Sequence, residues 1–143
     1  MDPRFDPGKP WYHGSPRKVT TLRAGSTITQ DRELARIFSH KPALVVGEEA
    51  NKRWKHTGPF ARGFLYRVVG QITECDIERV PHSSLSPGME WNTRREFALE
   101  LVAETTVKPE ELLTRHELRE MAARGLVEST TVDTILTKQD LPE

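Results

Sequence analysis

Between Glu96 and Glu104 the chain alternates without a break. Phe97, Leu99, Leu101 and Ala103 fall on one side, and Ala98, Glu100, Val102 and Glu104 on the other. A helix would scatter these residues around its surface, whereas extended backbone sorts them into two faces at a period of two. The segment therefore predicts a strand with one face on a core, and such a strand needs neighbours for its backbone groups. Phe64 to Thr73 offers one, with Phe64, Tyr66, Val68 and Ile72 on a common face. Trp11 to His13 reads as a shorter strand ended by Gly14 and Pro16, and Ser26 to Thr29 is β-prone.

Helical spacing takes over elsewhere. Leu34, Ile37 and Phe38 predict a helix over Asp31 to Lys41, capped by Thr29 or Asp31 and stopped by Pro42. In the tail, Pro109 opens a short turn, and Thr114-Arg115-His116-Glu117 fits a capping box. Leu118, Met121 and Ala122 continue as a stripe that Gly125 closes. Strands and helices are mixed without strict alternation, which predicts an α+β fold. Residues 47–63 and 79–92 read as long polar connections, with Ala43 to Val46 a brief apolar segment before the first. Connections of that length in a compact domain are often binding segments.

A chain of 143 residues predicts one domain over 11–143, preceded by an extended lead-in over 1–10 that carries Pro3, Pro7 and Pro10. Lys and Arg number 21, as do Asp and Glu, so no global field points to nucleic acid or a membrane surface. Cys75 is the single cysteine, which excludes an internal disulfide and fits a reducing compartment. No apolar run reaches the ~20 residues of a membrane helix, so the expectation is a soluble, cytoplasmic monomer. His40, His56, His82 and His116 show no metal-ligand spacing with one another or with Cys75, so no metal is expected. Cys75 has no activating histidine nearby in sequence, and no phosphate-loop or dinucleotide fingerprint is present. Lys52, Arg53 and Lys55 form a small basic cluster, read as a solvated loop or as a contact for a pyrophosphate or a nucleic-acid acceptor.

The stretch Trp11-Tyr12-His13-Gly14-Ser15-Pro16 gathers an imidazole, a backbone without Cβ and a hydroxyl within three residues. Such handles can grip a polar ligand against backbone. His13 can equally be a strand-end histidine bonded to backbone, and Gly14 can be turn chemistry alone.

In order along the chain, Tyr12-His13-Gly14-Ser15, Ala61-Arg62-Gly63-Phe64-Leu65-Tyr66 and Ala123-Arg124-Gly125-Leu126 resemble the small ADP-ribosyltransferases. The likeness is greatest to the rifamycin-inactivating ADP-ribosyltransferases and spans about residues 11–128 in order and spacing. The family motifs are Tyr-His-Gly-Thr, Gly-Arg-Gly-Tyr-Ile-Tyr and Arg-Arg-Gly-Leu. The resemblance implies split antiparallel β-sheets with short flanking helices and a helical C-terminal tail. It also implies NAD⁺ as co-substrate and transfer of ADP-ribose to an acceptor with release of nicotinamide. His13 would bond the adenosine ribose and the Gly14 backbone the nicotinamide amide. Tyr12, Ser15, Thr29, Tyr66 and Trp91 complete the implied cofactor-binding set. Tyr66 also reads as a core residue, and Trp91 as a cover for a sheet edge.

Breaking the bond to nicotinamide leaves an oxocarbenium-like sugar, which a nearby carboxylate stabilises. Two carboxylates compete for that role. Glu96 opens the alternating strand, and Asp76 follows the Phe64 strand; Glu96 is slightly preferred. The family's stacking tyrosine before the first helix is missing, since Ser26-Thr27-Ile28-Thr29 stands there. Phe38 or a mobile Trp54 would have to replace it. The leading expectation is a transferase of the glycosyltransferase class acting on a small-molecule or macromolecular acceptor. The alternatives are a catalytically weak or inactive nucleotide-binding module, and a protein-interaction domain without a small ligand.

Overall fold

A computed structural model describes residues 5–48, 53–80 and 88–143. Pro3, Lys52 and His82, each singled out in the sequence, lie outside them, as do residues 81–87 of the 79–92 connection. The fold is α+β, with nine strands and three α-helices among the described residues.

The strands are β1 (Tyr12–Ser15), β2 (Thr21–Leu22), β3 (Thr27–Ile28), β4 (Val45–Glu48), β5 (Arg53–His56), β6 (Arg62–Val69), β7 (Ile77–Arg79), β8 (Trp91–Thr93) and β9 (Phe97–Thr106). They form three antiparallel sheets, ordered β1-β6-β9-β2, β3-β8-β7 and β4-β5. The first two sheets are joined at one point, where Tyr12 and Thr29 exchange backbone hydrogen bonds of 2.7 and 3.0 Å. Between them lies the main core of Trp11, Leu22, Ile28, Val68, Ile72, Ile77, Trp91 and Phe97.

Strand β9 keeps its predicted alternation only to Leu101. Tyr66 pairs with Leu101 and Leu65 with Ala103, so Val102 is an extra residue without a partner on β6. Such a bulge re-phases every side chain beyond it. Ala103 therefore shares a face with Leu65, not with Phe97 and Leu99 as the sequence implied. Strand β6 likewise runs from Arg62 and stops at Val69, where Gly70 turns the chain at φ +106°. Ile72 joins the core from beyond the strand. Because β6 is central, Gly63 and Leu65 are buried on one face and Tyr66 and Val68 on the other.

Helix α1 (Arg32–Phe38) is shorter than predicted. Asp31 caps it by accepting from the Leu34 N–H at 3.1 Å, and it ends at Ser39, ahead of Pro42. Leu34, Ala35 and Ile37 are buried. The helix lies against β1 and β6 at two glycines. A Cβ on Gly14 would stand 2.0 Å from the Ala35 carbonyl oxygen, and one on Gly63 2.5 Å from that of Ser39.

Residues 47–63 are not one long connection. Strand β5 pairs with β4, and Gly47 gives room for the Trp54 ring. Trp54 is buried with Leu34 and Ile37, so it is not a mobile aromatic. Helix α2 (Arg115–Ala123) has the predicted capping box of Thr114 and Glu117, buries Leu118, and ends at Gly125 with φ +73°. Helix α3 (Ser129–Lys138) follows, and Leu113, Leu118, Val132, Ile135 and Leu141 form a second core. No described helix is long and apolar enough to cross a membrane.

Candidate functional site

His13 sits in β1 opposite Tyr66 of β6, and its ring reaches across to the second sheet. Its Nδ1 lies 2.8 Å from the Thr27 carbonyl oxygen. A carbonyl only accepts, so the proton is on Nδ1, and the neutral ring keeps Nε2 as an acceptor. Burial lowers the His13 pKa, and the Thr27 carbonyl opposes this less strongly. The imidazole is therefore neutral at neutral pH.

Beside this ring opens a cleft of about 430 Å³. Its walls come from four parts of the chain: His13, Gly14, Ser15, Pro16 and Arg17; Ser26 and Thr27; Phe38, Lys41 and Pro42; and Glu90. Two cations, one carboxylate, one aromatic ring and a neutral imidazole thus line one space. Lys41 holds a left-handed backbone, φ 49°, just past the end of α1. Glycine is the usual residue for that conformation, so a lysine there costs some stability.

The sequence-predicted residues divide around this cleft. His13, Gly14 and Ser15 line it, and the Ser15 hydroxyl accepts from the Arg17 N–H at 3.2 Å. Gly14 is also required by the close approach of α1, so its lack of a side chain has a packing cause. Phe38 lines the cleft as well, one of the two aromatics offered in place of the missing tyrosine. Tyr12 is half-buried and carries the joint between the sheets. Thr29 is buried, and its hydroxyl accepts from the Asp31 N–H at 3.1 Å, where it shapes the start of α1. Tyr66 is 2% exposed, and its hydroxyl accepts from the Val19 N–H at 2.8 Å. Trp91 packs edge-on against Trp11 and Phe5 in the core. None of Tyr12, Thr29, Tyr66 and Trp91 lines the cleft.

Neither predicted carboxylate lines it either. Asp76 accepts from the Thr73 N–H at 2.8 Å, the Thr73 hydroxyl at 3.0 Å and Arg95 Nε at 2.9 Å. Those bonds, the Thr73 amide first and Arg95 next, hold its carboxyl below the usual range. They spend its acceptor capacity on a tight turn before β7. Glu96 is exposed just ahead of β9. The register explains why Asp76 is remote. Strand β8 pairs Trp91 with Ile28 and Thr93 with Ile77, so Glu90 lies at the β3 end nearest β1, and Asp76 beyond the opposite end. Glu90 is half-buried and was not singled out in the sequence. Its place directly before a short β-prone segment, Trp91-Asn92-Thr93, was the available signal.

Compared with known protein families, characterised proteins and solved structures, the chain matches none.

A second polar cluster lies away from the cleft. His40 and His56 are fully buried, with parallel rings whose centroids are 5.8 Å apart. His56 Nε2 faces Glu111 Oε1 at 3.6 Å, and Glu111 is held by Arg36 and by the Lys108 N–H at 2.7 Å. Burial pushes the Glu111 carboxyl up, but Arg36 and the Lys108 amide outweigh it and bring it below the ordinary value. No group of three or more His, Cys, Asp or Glu among the described residues could hold a metal ion. Cys75 is exposed.

Proposed function

We propose that the His13 cleft binds NAD⁺ and that the protein transfers ADP-ribose from it to an acceptor, on an ADP-ribosyltransferase-type split sheet. The observation that supports this is the meeting of His13, Arg17, Phe38, Lys41 and Glu90 in one cleft. The residues fit the ligand's chemistry. Arg17 and Lys41 offer positive charge to a pyrophosphate. His13 Nε2 can accept from a ribose hydroxyl. Phe38 offers a ring face, a contact of ~1 kcal/mol.

Bound NAD⁺ would supply a sugar carbon whose bond to nicotinamide breaks with positive charge left on the sugar. Glu90 would place a carboxylate in that field, in a partly buried site where a fixed charge acts more strongly than in water. In this reading Glu90 takes the role first given to Glu96 or Asp76.

Calorimetry with NAD⁺, followed by chromatography for nicotinamide and mass spectrometry of candidate acceptors, tests it. Glu90→Gln should abolish nicotinamide release while NAD⁺ still binds. His13→Ala should weaken binding by about tenfold, the loss of one ligand hydrogen bond to a buried group. Absence of NAD⁺ binding by the native protein would sink the reading. Binding without release or transfer would leave the second reading, a nucleotide-binding module. That alternative draws on Ile28, fully buried where a stacking aromatic was sought.

A further inference from the structure

The other face of the segment that follows β1 borders a second cavity, of about 600 Å³. That volume falls in the ~300–1,000 Å³ range of small-molecule sites. Its floor is apolar: Leu99, and Leu101, which is 48% exposed. Its rim carries two cations, Lys18 and Arg23, and no carboxylate lies among its described lining residues. Neither cation forms an ion pair with a described residue; the Lys18 ammonium stands 5.7 Å over the Phe64 ring. Tyr66, nearly fully buried, also lines the cavity. Its hydroxyl oxygen accepts from the Val19 N–H, so its proton is left to donate.

An apolar floor beneath two cations and a hydroxyl donor selects a molecule with a hydrocarbon body and a single anionic head. We propose that this cavity is a binding site for an amphiphilic carboxylate, with its head at the cationic rim that Lys18 and Arg23 supply and its chain on Leu99 and Leu101. The hydrocarbon would cover Leu101, whose exposure is otherwise unfavourable. The head would meet charge without displacing any carboxylate of the protein, so no internal ion pair is broken on binding. The site does not depend on the reading of the His13 cleft. The two spaces share no described lining residue; within the segment after β1, Pro16 and Arg17 line the first and Lys18 to Thr21 the second.

Decanoate is the probe, titrated into the full chain while backbone amide NMR shifts are followed. Shifts at residues 18–23 and 99–101 are expected, with saturation in the millimolar range. Decanol should bind at least about tenfold more weakly, and decyltrimethylammonium should leave those amides unmoved. Arg23→Glu and Lys18→Glu, both at exposed positions, should each weaken decanoate by about tenfold with the fold intact. Leu101→Asp should do the same through the floor. NAD⁺ should leave bound decanoate in place. Equal binding of decanol, unchanged affinity in the charge variants, or displacement by NAD⁺ would each overturn the inference.

Discussion

Lowering the pH through the imidazole range should destabilise this fold steeply, and the structure sets the slope. His40 and His56 have no exposed surface, and burial pulls both pKa values below the ordinary 6.5. The hydrogen bonds show why neither ring accepts a second proton readily. His40 Nδ1 donates to the Phe60 carbonyl at 2.8 Å, and its Nε2 is buried without a hydrogen bond in the neutral ring. His56 Nδ1 accepts from the Gly58 N–H at 3.0 Å, so protonation there would set two donors face to face. The parallel rings would also repel one another if both were charged. In the unfolded chain both titrate freely. Above pH 6.5 both states are neutral and the stability is fully present; as pH falls below 6.5 the unfolded chain gains protons that the folded chain does not. Each imidazole then contributes a slope of at most about 1.4 kcal/mol per pH unit, so the pair gives at most about 2.8. Against a domain stability of ~5–15 kcal/mol, one pH unit removes a substantial fraction. Urea unfolding followed by tryptophan fluorescence between about pH 7.5 and about pH 5.5 measures this directly. His40→Gln should reduce the slope, with His56 and the half-buried His13 supplying what remains. A native stability independent of pH over that interval would refute the reasoning. It would mean that Glu111 accommodates imidazolium in the folded state.

Gly14→Ala should destabilise by at least the ~1–3 kcal/mol of an overpacked core, because the new methyl meets the helix backbone and no flexible side chain can yield. Chemical denaturation checks it, and a change below about 0.5 kcal/mol would show that α1 can slide. Asp76→Asn and Glu96→Gln should leave NAD⁺ affinity and nicotinamide release at native levels, since neither side chain lines the cleft. A loss of activity in either variant with the fold intact would move the chemistry away from Glu90.

Local order was legible where one segment's own pattern decides it. The alternation before the bulge at Val102 and the Thr114–Glu117 capping box belong to that class: β9 follows its reading as far as Leu101, and α2 starts at the predicted cap. The β4–β5 hairpin was hidden because Arg53-Trp54-Lys55-His56 looks polar; its burial rests on a glycine facing a tryptophan and on a buried histidine. The bulge could not be read because it is a relation between two strands. The same holds for the site. His13, Gly14 and Ser15 were found because they are adjacent in sequence. Glu90 joins them only through the pairing of β3 with β8, across more than sixty residues of chain, as in Ile28 with Trp91. Trp91 drew notice as a large aromatic in a polar segment, yet the same pairing turns it inward.

The joint at Tyr12 and Thr29 has a mechanical consequence. Two sheets meet there through a single backbone exchange, and the His13 ring adds one strut to the Thr27 carbonyl. The cleft opens beside that strut, with His13 and Arg17 on the side of the first sheet and Thr27 and Glu90 on the side of the second. A ligand held by His13 and Arg17 on one side and by Thr27 and Glu90 on the other would act as a clasp. Filling the cleft would then brace the two sheets at their one backbone joint, adding contacts across it to those of the shared core.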